Sequence, residues 1–231
     1  MNDLKFTSAG DFLKSQQPHN VFVLTYPRSG STAYSSALIN SHGLDTALGE
    51  SLDVTLDDIY TDRFDNQLLQ YNTVYRYFPW PNEDAHKVIE YMYNNTGSKK
   101  ILIREIQDWV LSKVFVDITK QFNTTDKLAI TNLDDIVIDL SSINCVELIQ
   151  VQAIHAAKLM YFKEVYPDFE IVRYEDIDYS QSSLTKQWDK DFKLSKCKNV
   201  EAIIENLDIV RKDNAYFSKY LDTYYNDMIW Y

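Results

Sequence analysis

The 231-residue chain has only two cysteines, and it lacks linker-like tracts and long apolar runs. Cys145 and Cys197 stand apart without metal-ligand spacing, which argues against a disulfide or a zinc site. No apolar run approaches the roughly 20 residues of a membrane span. The first residues have neither the cationic nor the apolar region of a signal peptide. We therefore expect a single domain over residues 1–231, located in the cytoplasm and without a membrane partner.

Basic residues are also scarce, with 23 Lys and Arg against 34 Asp and Glu and a formal net charge of −11. A nucleic-acid-binding surface needs a basic face or stripe, so we expect no nucleic-acid partner. In such an acidic chain, the few cations near an anion-binding site must carry the local positive potential. Arg28 and Arg104 are the candidates for that role.

Short segments rich in β-branched or aromatic residues predict strands, each followed by a helical pattern. These segments are 20–25, 100–104, 127–131 and 169–173. The alternation predicts a three-layer α/β fold, with a central parallel β-sheet flanked by helices. The clearest helical patterns begin after Pro81 and after Asp108, a candidate cap. The longest helical pattern covers residues 143–165 and ends before Pro167.

Residues 41–80 show no clear pattern of either kind. They contain an acidic run followed by an aromatic cluster, which consists of Tyr71, Tyr75, Tyr77, Phe78 and Trp80. Long excursions from a compact sheet are often lids or substrate-binding segments. Two interpretations stay open: these aromatic side chains line a pocket for a small molecule, or they belong to the core or cover the surface.

The most informative segment is residues 25–32, with the sequence TYPRSGST, between a predicted strand and a helical pattern. A sharp strand-to-helix turn presents free backbone N–H groups and the positive end of the helix dipole. Arg28 adds a cationic fork, and Gly30 lets the backbone approach an anion. Further residues add hydroxyl groups: Ser29, Ser31 and Thr32. These features predict a phosphate- or sulfate-binding loop, but the Lys and second Gly of the usual NTPase loop are missing.

Residues Tyr26 to Thr32 resemble the 5′-phosphosulfate loop, Tyr-Pro-Lys/Arg-Ser-Gly-Ser/Thr-Thr, of the sulfotransferases that use 3′-phosphoadenosine 5′-phosphosulfate (PAPS). The segment Arg173-Tyr-Glu-Asp176 is similar to one that follows a late strand in that family. The resemblance implies the P-loop-NTPase-like sulfotransferase fold and PAPS as co-substrate, with no metal. It also implies sulfuryl transfer to a hydroxyl or amine of a small molecule or glycan. Arg28 would act on the transferred group.

The resemblance leaves two alignments open for the ribose 3′-phosphate. In the first, Arg104 to Ser112 match the family pattern Arg-x3-Asp-x-Val-x-Ser, so Arg104 and Ser112 would bind this phosphate together. In the second, the 3′-phosphate strand is 127–131, where Thr131 and Asp139 replace the family's Arg and Ser, with serines nearby at 141–142. The second alignment would imply a weakened nucleotide site.

The general base also differs between the alignments. In the second, the strand ending at Arg104 precedes the base, and Glu105 is the predicted residue, with Asp108 as the other local candidate. In the first, Tyr77 takes the place of His in the family motif Lys-Thr-His-Leu-Pro, and none of the four histidines lies in a motif. Two alternatives therefore remain: a degenerate nucleotide-binding member without turnover, and a small-molecule kinase.

Overall fold

A computed structural model describes residues 20–42, 44, 46–48, 73–79, 85–119, 136–178, 180 and 190–225 of the chain. The predicted strand 127–131 lies outside these residues, as do Tyr71 and Trp80 of the aromatic cluster. In the described part of the chain, no helix has the length and apolar character needed to cross a membrane.

The described strands are β1 (Val21–Leu24), β2 (Thr46–Leu48), β3 (Thr73–Tyr77), β4 (Ser98–Ile103), β5 (Ile138–Asp139), β6 (Glu170–Arg173) and β7 (Cys197–Lys198). The strands predicted at 20–25, 100–104 and 169–173 are confirmed as β1, β4 and β6. Strand β3, in contrast, lies in the stretch where the sequence shows no clear pattern. Its residues are almost all buried, so the alternation of polar and apolar side chains that marks a half-exposed strand is absent.

The described helices are α1 (Ser31–His42), α2 (Ala85–Asn94), α3 (Ile106–Thr119), α4 (Cys145–Val165), α5 (Lys190–Ser195), α6 (Glu201–Asp213) and α7 (Ala215–Tyr224). Helix α4 begins after Asn144, whose side chain accepts from the Glu147 N–H at 3.2 Å, and it ends before Pro167 as predicted. Helix α3 begins at Ile106, so the prediction that Asp108 caps it is wrong. Asp108 lies inside the first turn.

Five strands form a parallel sheet in the order β2-β3-β1-β4-β6, and β5 pairs with β7 in a separate two-stranded sheet. Because side chains alternate along a strand, the large sheet has two faces. One face packs on α1 through Val21, Val23 and Val74. The other packs on the remaining long helices and includes Phe22 and Tyr75. The predicted α/β fold with a central parallel sheet and flanking helices is therefore confirmed.

The aromatic residues of β3 belong to the core. Tyr75 and Tyr77 are 1 % and 2 % exposed, and Phe78 is also buried. Of the two interpretations of the aromatic cluster, core packing therefore holds for these three residues. A pocket lined by their rings would require them to be accessible, and they are not.

The strand order changes direction at one position on the sheet. The connection leaving β1 leads to β2 at one edge, whereas the connection leaving β4 leads towards β6 at the other edge. Adjacent parallel strands whose connections diverge leave a crevice at their carboxyl ends, and α/β proteins bind ligands there. The loop at residues 25–30 follows β1, and Arg104 follows β4. Both predicted cationic residues therefore lie at this crevice.

Candidate functional site

The loop between β1 and α1, residues 25–30, has an unusual backbone. Arg28 has φ 70° and Gly30 has φ 89°, both in the left-handed region. For a residue with a Cβ this conformation costs about 1–2 kcal/mol, and it persists only where the surroundings hold it in place. A Cβ at Gly30 would also overlap the ring of Tyr174. Position 30 therefore requires glycine, and the strain is carried by Arg28.

Hydroxyl groups inside the loop hold it against the sheet. Thr25 Oγ1 donates to the carbonyl of Leu102 on β4 at 3.0 Å, and the Thr25 and Ser29 hydroxyl oxygens lie 2.5 Å apart. The Ser29 N–H donates to the Tyr26 carbonyl at 3.2 Å, which closes the turn. Ser29, predicted to bind an anion, thus has its side chain buried and engaged with Thr25. That side chain supports the loop conformation.

Aromatic residues support the loop from the side opposite α1. The indole N–H of Trp109 on α3 donates to the Pro27 carbonyl at 2.9 Å, and the Tyr26 hydroxyl donates to the Pro79 carbonyl at 3.1 Å.

The ring of His155 on α4 stacks on Tyr26 with ring centres 3.8 Å apart. Burial, with a smaller effect of Lys158, lowers the pKa of His155 to about 4. His155 is therefore neutral at physiological pH.

The first turn of α1 faces the same space as the loop. The first intrahelical bond runs from the Tyr34 N–H to the Gly30 carbonyl at 3.0 Å, so the N–H groups of residues 31–33 have no intrahelical acceptor. Arg76 reaches this turn from β3. Its Nη1 donates to Ser31 Oγ at 3.3 Å and to Thr32 Oγ1 at 2.8 Å. Ser31 and Thr32, two of the three hydroxyl residues predicted to bind an anion, therefore contact the guanidinium of Arg76.

Arg104 and Ser112 both reach the loop. Arg104 Nη1 donates to the Arg28 carbonyl at 2.6 Å, which holds the left-handed residue from outside. Arg28 Nη2 donates to Ser112 Oγ at 3.2 Å. The Arg104 guanidinium also lies 4.1 Å above the Tyr174 ring that packs on Gly30. The structure therefore brings together Arg28, Gly30, Arg104 and Ser112, although Arg28 and Ser112 are 84 residues apart in sequence.

Asp108 joins two buried cations behind the loop. Arg104 donates to Asp108 Oδ2 from Nε at 3.0 Å and from Nη2 at 2.6 Å, and Lys193 Nζ donates to Oδ1 at 2.6 Å. Burial raises the pKa of Asp108, but Arg104 and Lys193 outweigh it and bring the pKa down to about 2. Burial and Arg104 lower the pKa of Lys193 to about 8, against the opposing effect of Asp108. Asp108 is therefore ionised, and Lys193 titrates near physiological pH.

Arg28 and Arg104 respond differently to this environment. Burial lowers the pKa of Arg28, and the nearby positive charge of Arg104 lowers it further. Burial acts in the same direction on Arg104, but Asp108, together with Tyr174 and Glu175, outweighs it and the pKa of Arg104 is raised. An anion beside Arg28 would relieve its unfavourable electrostatic environment. This is the electrostatic character expected of an anion-binding group.

The candidate general bases are all buried. Glu105 is 2 % exposed, and its N–H donates to Glu175 Oε1 at 2.8 Å. Burial raises the pKa of Glu175, and the neighbouring Glu105 charge contributes. Asp108 lies between two cations, and Tyr77 lies in the core. A base must come within hydrogen-bond reach of the acceptor hydroxyl. The role of Glu105 as the base stays a prediction.

The described residues of the second alignment lie at the end of β5, in the small sheet, and in the turn that follows it. Asp139 ends β5, and its Oδ1 accepts from the Ser141 N–H at 3.0 Å, from Ser141 Oγ at 2.7 Å and from Asn199 Nδ2 at 2.7 Å. Ser142 Oγ donates to the Asp139 carbonyl at 2.7 Å. These contacts form a capped turn of 3-10 helix at Leu140–Ser142. Thr131 lies outside the described residues.

The Arg173 to Asp176 segment begins at the last residue of β6 and contacts both the loop at residues 25–30 and the start of α3. Arg173 and Asp176 form an ion pair at 3.6 Å. Glu175 accepts from the backbone N–H of Glu105, at the start of α3, and Tyr174 packs between Gly30 and Arg104. The segment therefore connects the loop after β1 to the loop after β4.

The sequence did not indicate two residues of the candidate site, Arg76 and Lys193. The hydrogen-bond partners of Arg76 are separated from it by 44 and 45 positions in the sequence, and the partner of Lys193 is separated from it by 85 positions. Local patterns carry no information about such contacts. The parallel pairing of β1 with β3 would have indicated Arg76, because it brings the carboxyl ends of these strands to one edge.

Comparisons of the chain with protein-family models, curated protein sequences and solved structures found no match. Within the described residues, no group of three or more His, Cys, Asp or Glu side chains could hold a metal ion. The evidence that bears on function is therefore the sequence motifs, together with the geometry and charge of the loop and its neighbours.

Proposed function

We propose that the protein is a sulfotransferase that moves a sulfuryl group from PAPS to a hydroxyl or amine of a small molecule or glycan. The observation that carries this proposal is the convergence of Arg104 and Ser112 on Arg28, inside the loop that resembles the 5′-phosphosulfate loop. One sequence motif predicts a 5′-phosphosulfate site, and an independent motif predicts a 3′-phosphate site. In the fold the two motifs are in contact.

The chemistry suits such a site. The acceptor oxygen or nitrogen attacks sulfur, the bond between sulfur and the 5′-phosphate oxygen breaks, and adenosine 3′,5′-bisphosphate leaves while the acceptor proton passes to a base. By analogy with phosphoryl transfer, a loose transition state gains most from positioning and neutralisation of charge. Arg28 lies in the loop that precedes α1, and Arg76 reaches the first turn of α1, where the N–H groups of residues 31–33 add positive potential.

The 3′-phosphate would lie on the β4 side of the loop. Arg104 follows β4, Ser112 is in α3, and both bond to Arg28. An arginine fork and a hydroxyl can converge on one phosphate dianion. Adenosine 5′-phosphosulfate, which lacks the 3′-phosphate, should therefore bind more weakly than PAPS. This comparison tests the first alignment directly.

A second candidate function is nucleotide binding without turnover. It is favoured by the burial of the base candidates Glu105, Asp108 and Tyr77, each exposed by 6 % or less. A chain that keeps the loop but lacks an accessible base would bind PAPS and release it unchanged. In that case the protein would act as a nucleotide-responsive binding module.

Thermal unfolding with and without nucleotide tests binding. At a ligand concentration one hundred times Kd, binding stabilises by about 2.7 kcal/mol, which for a chain of this size raises Tm by about 5–10 °C. We expect this shift with PAPS and with adenosine 3′,5′-bisphosphate, and we expect Arg28→Ala to remove it. Arg211→Ala is the matched control, because Arg211 forms a surface ion pair with Asp222 on α7. Absence of any shift at millimolar nucleotide contradicts the proposal.

Mass spectrometry of reaction mixtures separates the two functions. PAPS is incubated with the protein and a panel of phenols, alcohols, amines and oligosaccharides, and sulfated products are sought together with adenosine 3′,5′-bisphosphate. Product formation supports the sulfotransferase, whereas a Tm shift without product across the panel supports the binding module. Magnesium-dependent consumption of ATP in the same assay would indicate the kinase alternative.

A further inference from the structure

Lys193 is a buried cation that the proposed reaction does not use directly. It belongs to α5, is 3 % exposed, and donates to Asp108 Oδ1 at 2.6 Å. Lysine is almost never fully buried unless it is paired. The other oxygen of Asp108 accepts from Arg104, which in turn donates to the Arg28 carbonyl at 2.6 Å. A continuous series of charged contacts therefore runs from α5 to the strained residue of the loop.

We propose that Lys193 is a positioning residue, which holds Asp108 and Arg104 in place behind the loop and makes nucleotide affinity depend on its own protonation. This inference rests on the proposed function and adds a form of regulation to it. Lys193 touches Asp108 and acts on the nucleotide through Arg104. The late segment of α5 thereby becomes part of the nucleotide site.

The charges that face Lys193 explain why nucleotide binding should be coupled to protonation of this side chain. They are Asp108 from α3, Arg104 from the end of β4 and Arg28 from the loop, and the Cys197 thiol faces it from β7. Two of the three charged neighbours are cations, which disfavour the ammonium form of Lys193 when no anion is bound. A phosphate dianion beside Arg104 reverses this balance. Nucleotide binding is then linked to protonation of Lys193, and it draws a proton from solvent when Lys193 is partly neutral.

Few other groups interfere over the relevant pH range. The pKa of Lys193 is about 8, whereas burial raises that of Cys197 to about 11. The second pKa of a phosphomonoester is about 6, so adenosine 3′,5′-bisphosphate keeps its charge between pH about 7 and about 9. Over that interval we expect the affinity of the wild-type protein to fall about 3- to 10-fold, the fall expected of one linked proton.

Isothermal titration calorimetry with adenosine 3′,5′-bisphosphate measures this directly on the full chain. Titrations at pH about 7, 8 and 9, in buffers that differ in ionisation enthalpy, report both Kd and the number of protons taken up. We expect a fraction of a proton to be taken up at the two higher pH values. Because the measurement is made on the wild-type protein, it does not depend on whether a variant folds.

Variants of Lys193 test whether this side chain is the group that takes up the proton. Lys193→Met removes the titration, and Lys193→Arg keeps the charge at every pH, so both should bind with pH-independent affinity. The arginine variant should retain tighter binding than the methionine variant. Lys198→Met is the matched control, because Lys198 is exposed on β7, and it should keep the pH dependence of the wild type.

The outcomes separate this proposal from the proposed function. Binding that is constant from pH about 7 to about 9, with no proton uptake, overturns the role of Lys193 and leaves the nucleotide site intact. Persistence of the full pH dependence in Lys193→Met overturns it as well. Absence of binding at every pH overturns the nucleotide site itself, and the role of Lys193 with it.

Discussion

Replacing Asp108 with asparagine tests the buried charge cluster most sharply. The substitution keeps the size of the side chain and removes the carboxylate that pairs with both Arg104 and Lys193. Breaking a buried ion pair by removing one partner costs about 3–5 kcal/mol, because the remaining charge is left uncompensated. Two cations are affected here. We therefore expect Asp108→Asn to lower the free energy of unfolding by about 3–5 kcal/mol at neutral pH.

The lowered pKa of Asp108 leads to a related expectation for stability at acid pH. The folded pKa of about 2 lies below the ordinary value of 3.8. A depressed carboxyl pKa contributes stability that is present above the ordinary pKa and is lost as the pH falls through about 2. The difference corresponds to about 2–3 kcal/mol. In Asp108→Asn this acid-dependent component should be absent, so the pH dependence of stability below pH about 4 should be shallower than in the wild type.

Urea denaturation provides the assay, and a double-mutant cycle with Lys193→Met isolates the pair. Lys193→Met alone should cost little, because the pKa of about 8, below the ordinary 10.5, shows that the folded protein disfavours the ammonium form. In the Asp108→Asn background, Lys193→Met removes a cation that has lost its carboxylate partner, so it should raise the free energy of unfolding. We expect a coupling energy of about 1–3 kcal/mol.

Asp117→Asn supplies the control for this cycle. Asp117 lies on the same helix and pairs with Lys113 at 2.6 Å, but both side chains are more than one third exposed. An exposed i,i+4 pair contributes about 0.3–0.5 kcal/mol, so this variant should be close to the wild type. If Asp108→Asn were as stable as Asp117→Asn, or if the cycle were additive, the buried cluster would not hold the loop in the way described.

Three further substitutions test the loop and its neighbours. Gly30→Ala should lower the free energy of unfolding by about 2–4 kcal/mol in urea denaturation, because alanine is strained at φ 89° and its Cβ overlaps Tyr174. Arg28→Gly should be more stable than Arg28→Ala by about 1 kcal/mol in the same assay, because glycine accepts φ 70° without strain; equal stability would contradict this. Arg76→Gln should weaken PAPS binding about tenfold or more in calorimetry, because it removes a charged donor above Ser31 and Thr32, with no change in Tm without ligand.

The sequence was sufficient for the elements that carry a local signal. Strands β1 and β4 are short β-branched runs, and α4 is a long apolar pattern between Asn144 and Pro167. Strand β3 was not predicted, although four of its five residues are β-branched or aromatic. It is almost fully buried, so it lacks the alternation of polar and apolar side chains that marks a half-exposed strand, and Arg76 interrupts its apolar character. The start of α3 was misplaced because an aspartate before an apolar stretch is typical of a cap. In this protein the aspartate serves a buried ion pair.

The candidate site was partly predictable for a reason of topology. Arg28 and Arg104 each follow a parallel strand, and the carboxyl ends of parallel strands lie at one edge of the sheet. Their proximity follows once β1 and β4 are neighbours, which the sequence alone does not state. Lys193 could not be found in this way, because it reaches Asp108 from a helix outside the sheet order. Its burial is a property of tertiary packing.

The net charge of −11 and the cationic loop are compatible because charge acts over a short distance here. At physiological ionic strength, exposed charges are screened beyond about 8–10 Å, whereas buried pairs are screened much less. The surface acidic residues therefore contribute little at the loop, where Arg104 and Lys193 pair with one buried carboxylate and Arg104 donates to the Arg28 carbonyl. Acidic composition argues against an extended polyanion such as nucleic acid, which needs a broad basic face. It leaves room for a small anion, which needs only the few cations that the strand order brings to one edge of the sheet.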